Sequence, residues 1–428
     1  MSDRLPLRRT LTTTAVVFSG VGVILGAGIY ALIGEAAATA GNAVWLAFVF
    51  AALIAAFTGL SYAELASMFP RAGAEYEYTD QAFGRGLAFV VGALVVLSAI
   101  VGAATVALGF AGYLHGYVAL PRPALAAMLL VALALLIASG IRNSTAVIVI
   151  LTVIQAAGLV GIIVIGLPYL GSVDYFEMPH GLGGVIQAAA LIFFAYQGFE
   201  DVVKLSEETV QPERAIPRGL ILALITTTLL YVLVALAAVS VGGAALLAGA
   251  DAPFAVIVER VAGARTGLIF TFIALVATAS TVLVMLLAAS RLIYGMARAG
   301  SLPERLAWVS ARTRTPTIAL LLVTAAALLF LMVGTLRDVA LLANFTLYVT
   351  FTIINAAVIG LRFRLPDRPR PFRIRGAVGR VPIVPVLGIA TCVFFMWQID
   401  RAAWMIGGGL IVLIFGIHGL MVTRRRYG

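Results

Sequence analysis

The sequence is poor in charged residues and in the side chains that build metal centres. Of its 428 residues, 11% are charged and 62% hydrophobic, and there are one cysteine and three histidines. An ordinary soluble domain carries about 25% charged residues. Cys392 has no second cysteine for an internal disulfide, and the histidines lack metal-ligand spacing. We therefore expect no separate soluble domain, no metal site and no resident cofactor.

Motifs for nucleotide hydrolysis and catalysis are also missing. The chain has no G-x-x-x-x-G-K-[ST] sequence, so we do not expect ATP to drive it directly. No cluster of His, Asp and Glu and no nucleophile–base pair lies in the middle of an apolar segment. We do not expect an enzyme. A channel would need a polar stripe along several apolar segments, whereas the polar residues here are isolated.

Apolar stretches are abundant and long. Stretches of about 20 residues, enough to cross a bilayer, recur along the whole chain and predict an all-α polytopic membrane protein. The first follows Arg8 and Arg9, as a signal peptide would, but it is too long for one and has no clear cleavage site. The predicted twelve transmembrane spans lie at roughly 12–34, 43–68, 86–117, 124–140, 145–170, 181–204, 218–241, 266–298, 316–333, 337–361, 382–399 and 402–423.

Positive charge is unevenly distributed between the predicted loops. With the N-terminus inside, the outer loops contain only five of the 29 Lys+Arg residues: Arg122, Arg260, Arg265, Arg337 and Arg401. The positive-inside rule then places both termini in the cytoplasm. We expect the protein to lie in the cell (cytoplasmic) membrane. Orientation thus explains the net charge of +10 without a nucleic-acid partner. We interpret the arginine-rich loop 362–380 as a cytoplasmic anchor beside anionic membrane lipid; the alternative is a regulatory or partner site.

Span one contains the stretch GVILGAGIYALIG, with Gly26, Ala27 and Gly28 near its middle. Glycine is about 1 kcal/mol worse than alanine inside a helix, and a broken turn in lipid leaves backbone groups unpaired. One interpretation is a small-residue packing face that includes Gly22 and Gly34. The other is a functional break in the helix.

A second interruption follows five spans later. Span six reads ALIFFAYQGFEDVV, in which Tyr196, Gln197 and Gly198 interrupt the apolar run and Glu200 and Asp201 follow at once. Paired breaks in corresponding spans are typical of transporters built from inverted repeats. The pair favours a five-plus-five inverted repeat with broken helices 1 and 6 and a binding site between the two halves.

Four segments in order carry a family resemblance: GVILGAGIYALIG, PRAGAEYEYTDQAFG, FFAYQGFEDVVKLSEETVQPERAIPRG and ASRLIYGMARAGSLP. Together they resemble the amino acid–polyamine–organocation (APC) permeases, from the first span to the twelfth. The resemblance implies a leucine-transporter-like fold of ten core helices plus two peripheral ones, and transport of amino acids or related amines. The first repeat would occupy 1–170, the second 171–361, and the basic loop with the peripheral spans 362–428.

The two breaks suit a zwitterionic substrate. The N-terminus of the second half of span one carries about half a positive charge, which suits a carboxylate, and the carbonyls near Phe194 and Ala195 suit an ammonium group. By resemblance, Phe194 is an aromatic gate, and Gly102 and Asn344 are further candidates for contacting the substrate side chain. The substrate-binding residues implied in this way are Ile24, Gly26, Ala27, Gly28, Ile29, Ser98, Phe194, Ala195, Gln197 and Met285.

None of the residues expected around the substrate side chain is acidic. A carrier of lysine, arginine or polyamines would be expected to place a carboxylate there. We therefore expect neutral amino acids, moved by proton-coupled symport or by exchange. A cationic amino acid or polyamine antiporter is the alternative, and a sodium-coupled symporter or a channel is less favoured.

Coupling residues are expected in three spans. A carboxylate near the bilayer centre costs about 2.5–3.5 kcal/mol and is commonly functional, and the resemblance implies proton coupling at Glu200. The alternative is an ion pair with Lys204, four residues later. Gln155 replaces a lysine that some members carry in span five, which argues against that lysine's mechanism here. Ser280 and Thr281 offer hydroxyls to a sodium ion, or they pack between helices.

Charged residues flank spans two and six on the predicted cytoplasmic side. They indicate either a salt-bridged inner gate or ordinary helix capping and solvated pairs. The residues concerned are Arg71, Glu75, Glu77, Glu207, Glu208, Arg214 and Arg218.

Overall fold

The computed structural model describes residues 9–70, 73–140, 145–310, 313 and 315–427, and nearly all their regular structure is helical. The α-helices are α1 (Thr13–Ile24), α2 (Gly28–Ala40), α3 (Val44–Met68), α4 (Ala74–Phe83), α5 (Arg85–His115), α6 (Arg122–Ala138), α7 (Thr145–Gly166), α8 (Gly181–Ile192), α9 (Pro212–Leu247), α10 (Pro253–Ala262), α11 (Ala264–Arg298), α12 (Thr317–Phe330), α13 (Leu336–Arg364), α14 (Ile383–Trp397) and α15 (Arg401–Tyr427). The 3₁₀ helices are Gly41–Ala43, Leu167–Tyr169, Phe193–Tyr196, Phe199–Glu208 and Glu304–Ala307. Strands β1 (Ala377–Val378) and β2 (Val381–Pro382) pair antiparallel, with Ala377 opposite Pro382.

Eight helical segments of the described chain are long and apolar enough to cross a membrane. One of them, Gly28–Met68, comprises α2 and α3; α1, α6, α12 and α14 are apolar but shorter. Each predicted span coincides with a helix or, for spans one and six, with an interrupted helix. The protein is therefore a multi-pass helical membrane protein, and the count of twelve crossings stays a prediction.

The ends of two predicted spans lie further along the chain in the structure. Span one is predicted to end near residue 34, but the alanine-rich sequence beyond Glu35 continues α2 to Ala40. Span seven is predicted to end near 241, but α9 continues through a kink at Gly243, where φ is +73°. Asn42 stabilises the kink, because its Oδ1 accepts from the N–H of Ala244 at 2.7 Å. Hydropathy alone does not reveal such a tertiary contact.

Burial separates a central group of helices from a peripheral one. Most residues of α5, of α13 and of the span-six segment are buried, whereas very few of residues 401–420 in α15 are. Polar contacts of one side chain join α13 to α3, and the same side chain packs against α14. Asn355 in α13 accepts from Ser61 at 2.6 Å and donates to Thr58 at 3.0 Å in α3, and it packs against Gly388 of α14.

A buried ion pair fixes the arginine-rich loop to α3. Arg362 donates from Nε and Nη2 to the two oxygens of Glu64, at 3.1 and 2.7 Å. The N–H of Ile374 donates to the same carboxylate at 2.8 Å, and Arg370 Nε lies 3.4 Å from it. Glu64 is completely buried. Its carboxylate therefore joins α3, α13 and the loop.

Further arginines of this loop bind the ends of helices. The last four carbonyl groups of a helix lack partners within it, and cations are favourable there. Three arginines donate to such carbonyls: Arg364 to Ala82 near the end of α4, Arg368 to Met68 at the end of α3, and Arg370 to Leu361 and Leu365 at the end of α13. These arginines and Arg362 thus bind protein groups, and the interpretation of the loop as a lipid anchor stays a prediction.

We expect Glu64→Gln to destabilise the protein strongly, because it leaves Arg362 buried without its counter-charge. Breaking a buried pair in this way costs roughly 3–5 kcal/mol. Arg122→Gln is the matched control, since it breaks the pair with Asp251 at a position where Arg122 is 51% exposed; exposed pairs contribute about 0–1 kcal/mol. Thermal unfolding of the purified protein in detergent measures both. Equal unfolding temperatures for the two variants would contradict the structural role of Glu64.

Candidate functional site

The predicted break in span one lies between α1 and α2. α1 ends at Ile24 and α2 begins at Gly28. The N-cap residue Ala27 provides no side-chain cap, and its own N–H donates to Thr281 Oγ1 at 3.1 Å. Because the first N–H groups of a helix have no acceptor within it, the N-terminus of α2 is a place where an anionic group can bind.

The predicted break in span six is longer than a single turn. α8 ends at Ile192, two to three residues before the predicted free carbonyls near Phe194 and Ala195, and the chain continues as two 3₁₀ helices separated by Gln197 and Gly198. Gly198 has a φ of +112°, which side-chain-bearing residues rarely adopt. The second 3₁₀ helix has ten residues. Since 3₁₀ runs longer than 3–4 residues are uncommon and often mark hinges, this segment is a candidate hinge.

The two breaks contact each other through their backbones. A Cβ atom on Gly28 would lie 2.6 Å from the Cα of Ala195, and one on Gly198 would lie 2.9 Å from Cγ1 of Val23. Neither approach leaves room for a side chain. Glycines at both breaks are thus needed for this packing as well as for the conformation of the chain.

Tyr231 of α9 bridges the two breaks. Its buried hydroxyl lies 2.7 Å from the carbonyl oxygen of Ile24 and 3.0 Å from that of Ala195. It thereby donates to backbone groups that the breaks leave without helical partners. Nothing in the apolar sequence around Tyr231 distinguishes it from a packing residue.

Asn344 supports the end of α8 instead of contacting substrate. Its Nδ2 donates to the carbonyls of Ala190 and Leu191, at 2.7 and 2.9 Å, and Tyr348 also donates to Ala190, at 3.1 Å. Asn344 is completely buried and lies outside the cavity lining. Its Nδ2 is used by the backbone of α8 and the side chain does not reach the cavity, so the structure does not bring Asn344 together with the other candidates for substrate recognition.

A cavity of about 1160 Å³ begins at the two breaks. It extends towards α4 and the C-terminal part of α11, on the predicted cytoplasmic side, where Gly73, Arg291 and Ala299 are exposed. Ile29 is a predicted site residue that does not line it, because its side chain is fully buried in the packing around α2. The predicted residues that line it are Ile24, Gly26, Ala27, Gly28, Ser98, Gln155, Phe194, Ala195, Gln197, Glu200, Ser280, Thr281 and Met285.

One wall of the cavity brings together Ser98 and Met285, two of the residues predicted to contact the substrate side chain, with Gly102 packed behind Met285. Gln197 Nε2 donates to Ser98 Oγ at 3.0 Å. A Cβ on Gly102 would lie 3.2 Å from the Sδ and Cε of Met285 and 3.4 Å from Gln197 Oε1. The lack of a side chain at Gly102 therefore makes room for both neighbours. This wall is uncharged.

Glu200 caps the break in span six. Its Oε2 accepts from the N–H of Gly198 at 2.9 Å, and the side chain is almost completely buried. Lys204 pairs with Asp201, so the alternative pairing of Glu200 with Lys204 is wrong. The reason is the helix type: in a 3₁₀ helix, residues three apart lie above one another, whereas the predicted pairing assumes an α-helix.

Glu75 of α4 is a further carboxylate on the cavity. It is buried, and the hydroxyl of Tyr62 donates to its Oε1 at 3.3 Å. Burial raises the pKa of Glu75 above its ordinary value. Of the other residues predicted to form an inner gate, Arg71 lies outside the described residues, and Glu208 accepts through its backbone carbonyl from the N–H groups of Thr10 and Leu11.

The groups predicted to bind a coupling cation are hydrogen-bonded to one another. Gln155 Nε2 donates to Ser280 Oγ at 2.7 Å and approaches the carbonyl of Ala277 at 3.4 Å. Thr281 Oγ1 donates to the same carbonyl at 3.0 Å and accepts from Ala27 N–H. The NH₂ group of Gln155 therefore points at oxygen atoms that a bound cation would need as ligands.

Comparison with known proteins agrees with this geometry. The amino acid permease family model matches residues 9–421. The chain belongs to this family, within the APC permeases. It is 31% identical to the branched-chain amino acid permease BcaP of Bacillus subtilis (strain 168), over 96% of this chain and 93% of that protein. It is also 31% identical to the methylthioribose transporter of the same organism, over 93% and 90%, and 32% identical to the vacuolar cationic amino acid transporter 4 of Arabidopsis thaliana, over 84% and 64%. The permease is a transporter and not an enzyme.

The two glycines of the first break should respond differently to alanine. A Cβ on Gly26 meets no atom closer than 3.5 Å, so Gly26→Ala should fold normally while its methyl group narrows the site. We expect uptake to fall by roughly tenfold or more, since small displacements at a binding site have effects of this size. Gly28→Ala should instead reduce the yield of folded protein, because its methyl group collides with Ala195. Size-exclusion chromatography and proteoliposome uptake separate these effects; a well-folded, active Gly28→Ala would show that the breaks do not pack as described.

Proposed function

We propose that this permease is a secondary active transporter of neutral amino acids that works by alternating access. The observation that carries the proposal is the backbone contact between two broken helices at one end of a cavity. The N–H groups at the start of α2 suit the substrate carboxylate. The carbonyls of Ile24 and Ala195 suit the ammonium group, since a carbonyl oxygen that accepts from Tyr231 retains a second lone pair.

The conformation fits an inward-facing state of such a carrier. The cavity reaches from the breaks to α4 on the predicted cytoplasmic side. On the opposite side the helices are closed: Tyr113 donates to the carbonyl of Tyr30 at 3.0 Å, and Gly109 packs against Ala31. In this proposal the repeats 1–170 and 171–361 move relative to one another during transport. The chain crosses the membrane twelve times, and two of these crossings are peripheral helices.

The uncharged wall at Gln197, Ser98 and Met285 favours neutral substrates. The similarity to a branched-chain amino acid permease points in the same direction. The similarity to a cationic amino acid transporter supports the alternative, in which Glu75 or Glu200 faces a substrate cation from further along the cavity.

Glu200 is the proposed proton-coupling group. It lines the cavity, it is held beside the substrate site by Gly198, and the neighbouring Asp201 already pairs with Lys204. The amide of Gln155 stands among the oxygens that sodium would require, which argues for coupling without sodium. Exchange of substrates without net proton movement is the alternative mechanism.

A competition assay tests the substrate class. Purified protein in liposomes takes up a labelled neutral amino acid while unlabelled compounds compete. We expect small and branched neutral amino acids to inhibit uptake more strongly than arginine or putrescine, because no carboxylate lies at the Gln197 wall. Stronger inhibition by the cationic compounds would favour the cationic carrier, and absence of uptake for every amino acid tested would reject amino acid transport.

Glu200→Gln tests proton coupling with the fold preserved. The glutamine oxygen can still accept from Gly198 N–H, and the Asp201–Lys204 pair is untouched. We expect counterflow exchange to continue while uptake no longer responds to an imposed pH gradient, since an amide cannot carry the proton. Asp201→Asn is the control: it should lower the unfolding temperature by unpairing Lys204 but leave the pH response. Undiminished gradient-driven uptake by Glu200→Gln would remove Glu200 from the coupling mechanism.

A further inference from the structure

One polar atom of the cavity wall has no partner. Gln197 Oε1 is buried and accepts no hydrogen bond from the described part of the protein. The rest of the same side chain is well placed, since its Nε2 donates to Ser98 Oγ at 3.0 Å. A buried carbonyl without a donor is costly and rare in folded proteins. Gln197 Oε1 can therefore accept a hydrogen bond from a molecule that enters the cavity.

Ser98 adds a donor beside this acceptor. Its oxygen accepts from Gln197, so its hydroxyl hydrogen is still available for donation. Ser98 is buried, and both residues line the cavity. Side by side, the pair offers an acceptor and a donor on a wall that is otherwise apolar, with Met285 and Gly102 as neighbours.

The position of the pair matches the side-chain end of a substrate held at the breaks. Gln197 lies two residues after Ala195, which contacts Gly28 in the other break. A substrate whose α-carboxylate and ammonium group occupy the breaks would direct its side chain along this wall. The flexible thioether of Met285 can move aside to open the carbonyl.

We propose that Gln197 and Ser98 make this permease select neutral amino acids whose side chain carries a hydroxyl or carboxamide group over apolar side chains of the same shape. The inference rests on the proposed transport of neutral amino acids and refines it. An apolar side chain at this wall would leave the Gln197 carbonyl unpaired and shielded from water. Sites that hydrogen-bond a substrate group reject analogues that lack it for this reason.

A hydroxyl group is the most suitable partner for the pair. It donates and accepts at once, so it satisfies Oε1 and also receives the Ser98 hydrogen. It remains suitable if the carboxamide of Gln197 turns over, because the unpaired end would then be an amide donor. A carboxamide side chain has the same property.

L-Threonine and L-valine provide the test, since they have nearly the same shape and differ in one hydroxyl. Uptake of each labelled amino acid into proteoliposomes is measured for the wild type and for Gln197→Leu. We expect the wild type to favour threonine in kcat/KM by roughly fivefold or more. In Gln197→Leu the ratio of threonine to valine should fall to about one or below, because leucine leaves no unpaired carbonyl.

Two further variants keep the test decisive. Ser98→Ala should reduce the threonine preference in the same direction, whereas Tyr117→Phe, which removes a hydroxyl group that does not line the cavity, should keep it. A wild-type ratio at or below one, or an unchanged ratio in Gln197→Leu, would overturn the assignment of Gln197 while leaving neutral amino acid transport intact. If folded wild-type protein transports neither amino acid nor any other neutral one, both the inference and the proposed function fail.

Discussion

The need to pair backbone groups inside a membrane shapes this permease. A helix interruption exposes N–H and C=O groups where lipid offers no partners, at a cost of several kcal/mol each. Both interruptions here are supplied with partners from neighbouring helices. Tyr231 lies within hydrogen-bond distance of one carbonyl at each break, and Thr281 accepts from the N–H of Ala27. Asn344 and Tyr348 donate to carbonyls at the end of α8. The breaks are stable because the surrounding helices carry polar side chains at matching depths.

The same partners limit what a substrate can do at the breaks. Tyr231 has a single hydroxyl hydrogen for two carbonyl oxygens, so the carbonyls of Ile24 and Ala195 are incompletely satisfied in the absence of another donor. An ammonium group supplies up to three donors and can bind without displacing Tyr231. At the N-terminus of α2 the N-cap side chain is a methyl group, which leaves those donors for a carboxylate. In the proposed function, both charges of a zwitterion therefore find partners at the breaks.

Local sequence patterns predict the breaks well and their partners poorly. Gly26, Gly28 and Gly198 interrupt apolar runs, and a short-range pattern of that kind predicts where a helix ends. Asn344 and Tyr231 act through contacts between distant segments, which no local pattern contains. The pairing of Lys204 with Asp201 instead of Glu200 depends on a 3₁₀ geometry, and the sequence after Gly198 gives no sign of it. In the sequence the loop arginines are visible only as charge, because the pairing of Arg362 with Glu64 and the helix ends bound by Arg364, Arg368 and Arg370 depend on distant segments.

Rigid and mobile parts of the molecule follow from these contacts. Around Glu64 the ends of α3, α4 and α13 are held by arginines of one loop, with the ion pair itself buried. Such a network resists separation, because breaking it leaves buried charges without their partners. The segment from Phe199 to Glu208 lies nearby in a 3₁₀ form whose hydrogen bonds are weaker than those of an α-helix. Its carboxylate Glu200 accepts a hydrogen bond from Gly198 at the turn and takes no part in the network around Glu64. In the proposed mechanism, a change in the charge of Glu200 would therefore act first on this candidate hinge.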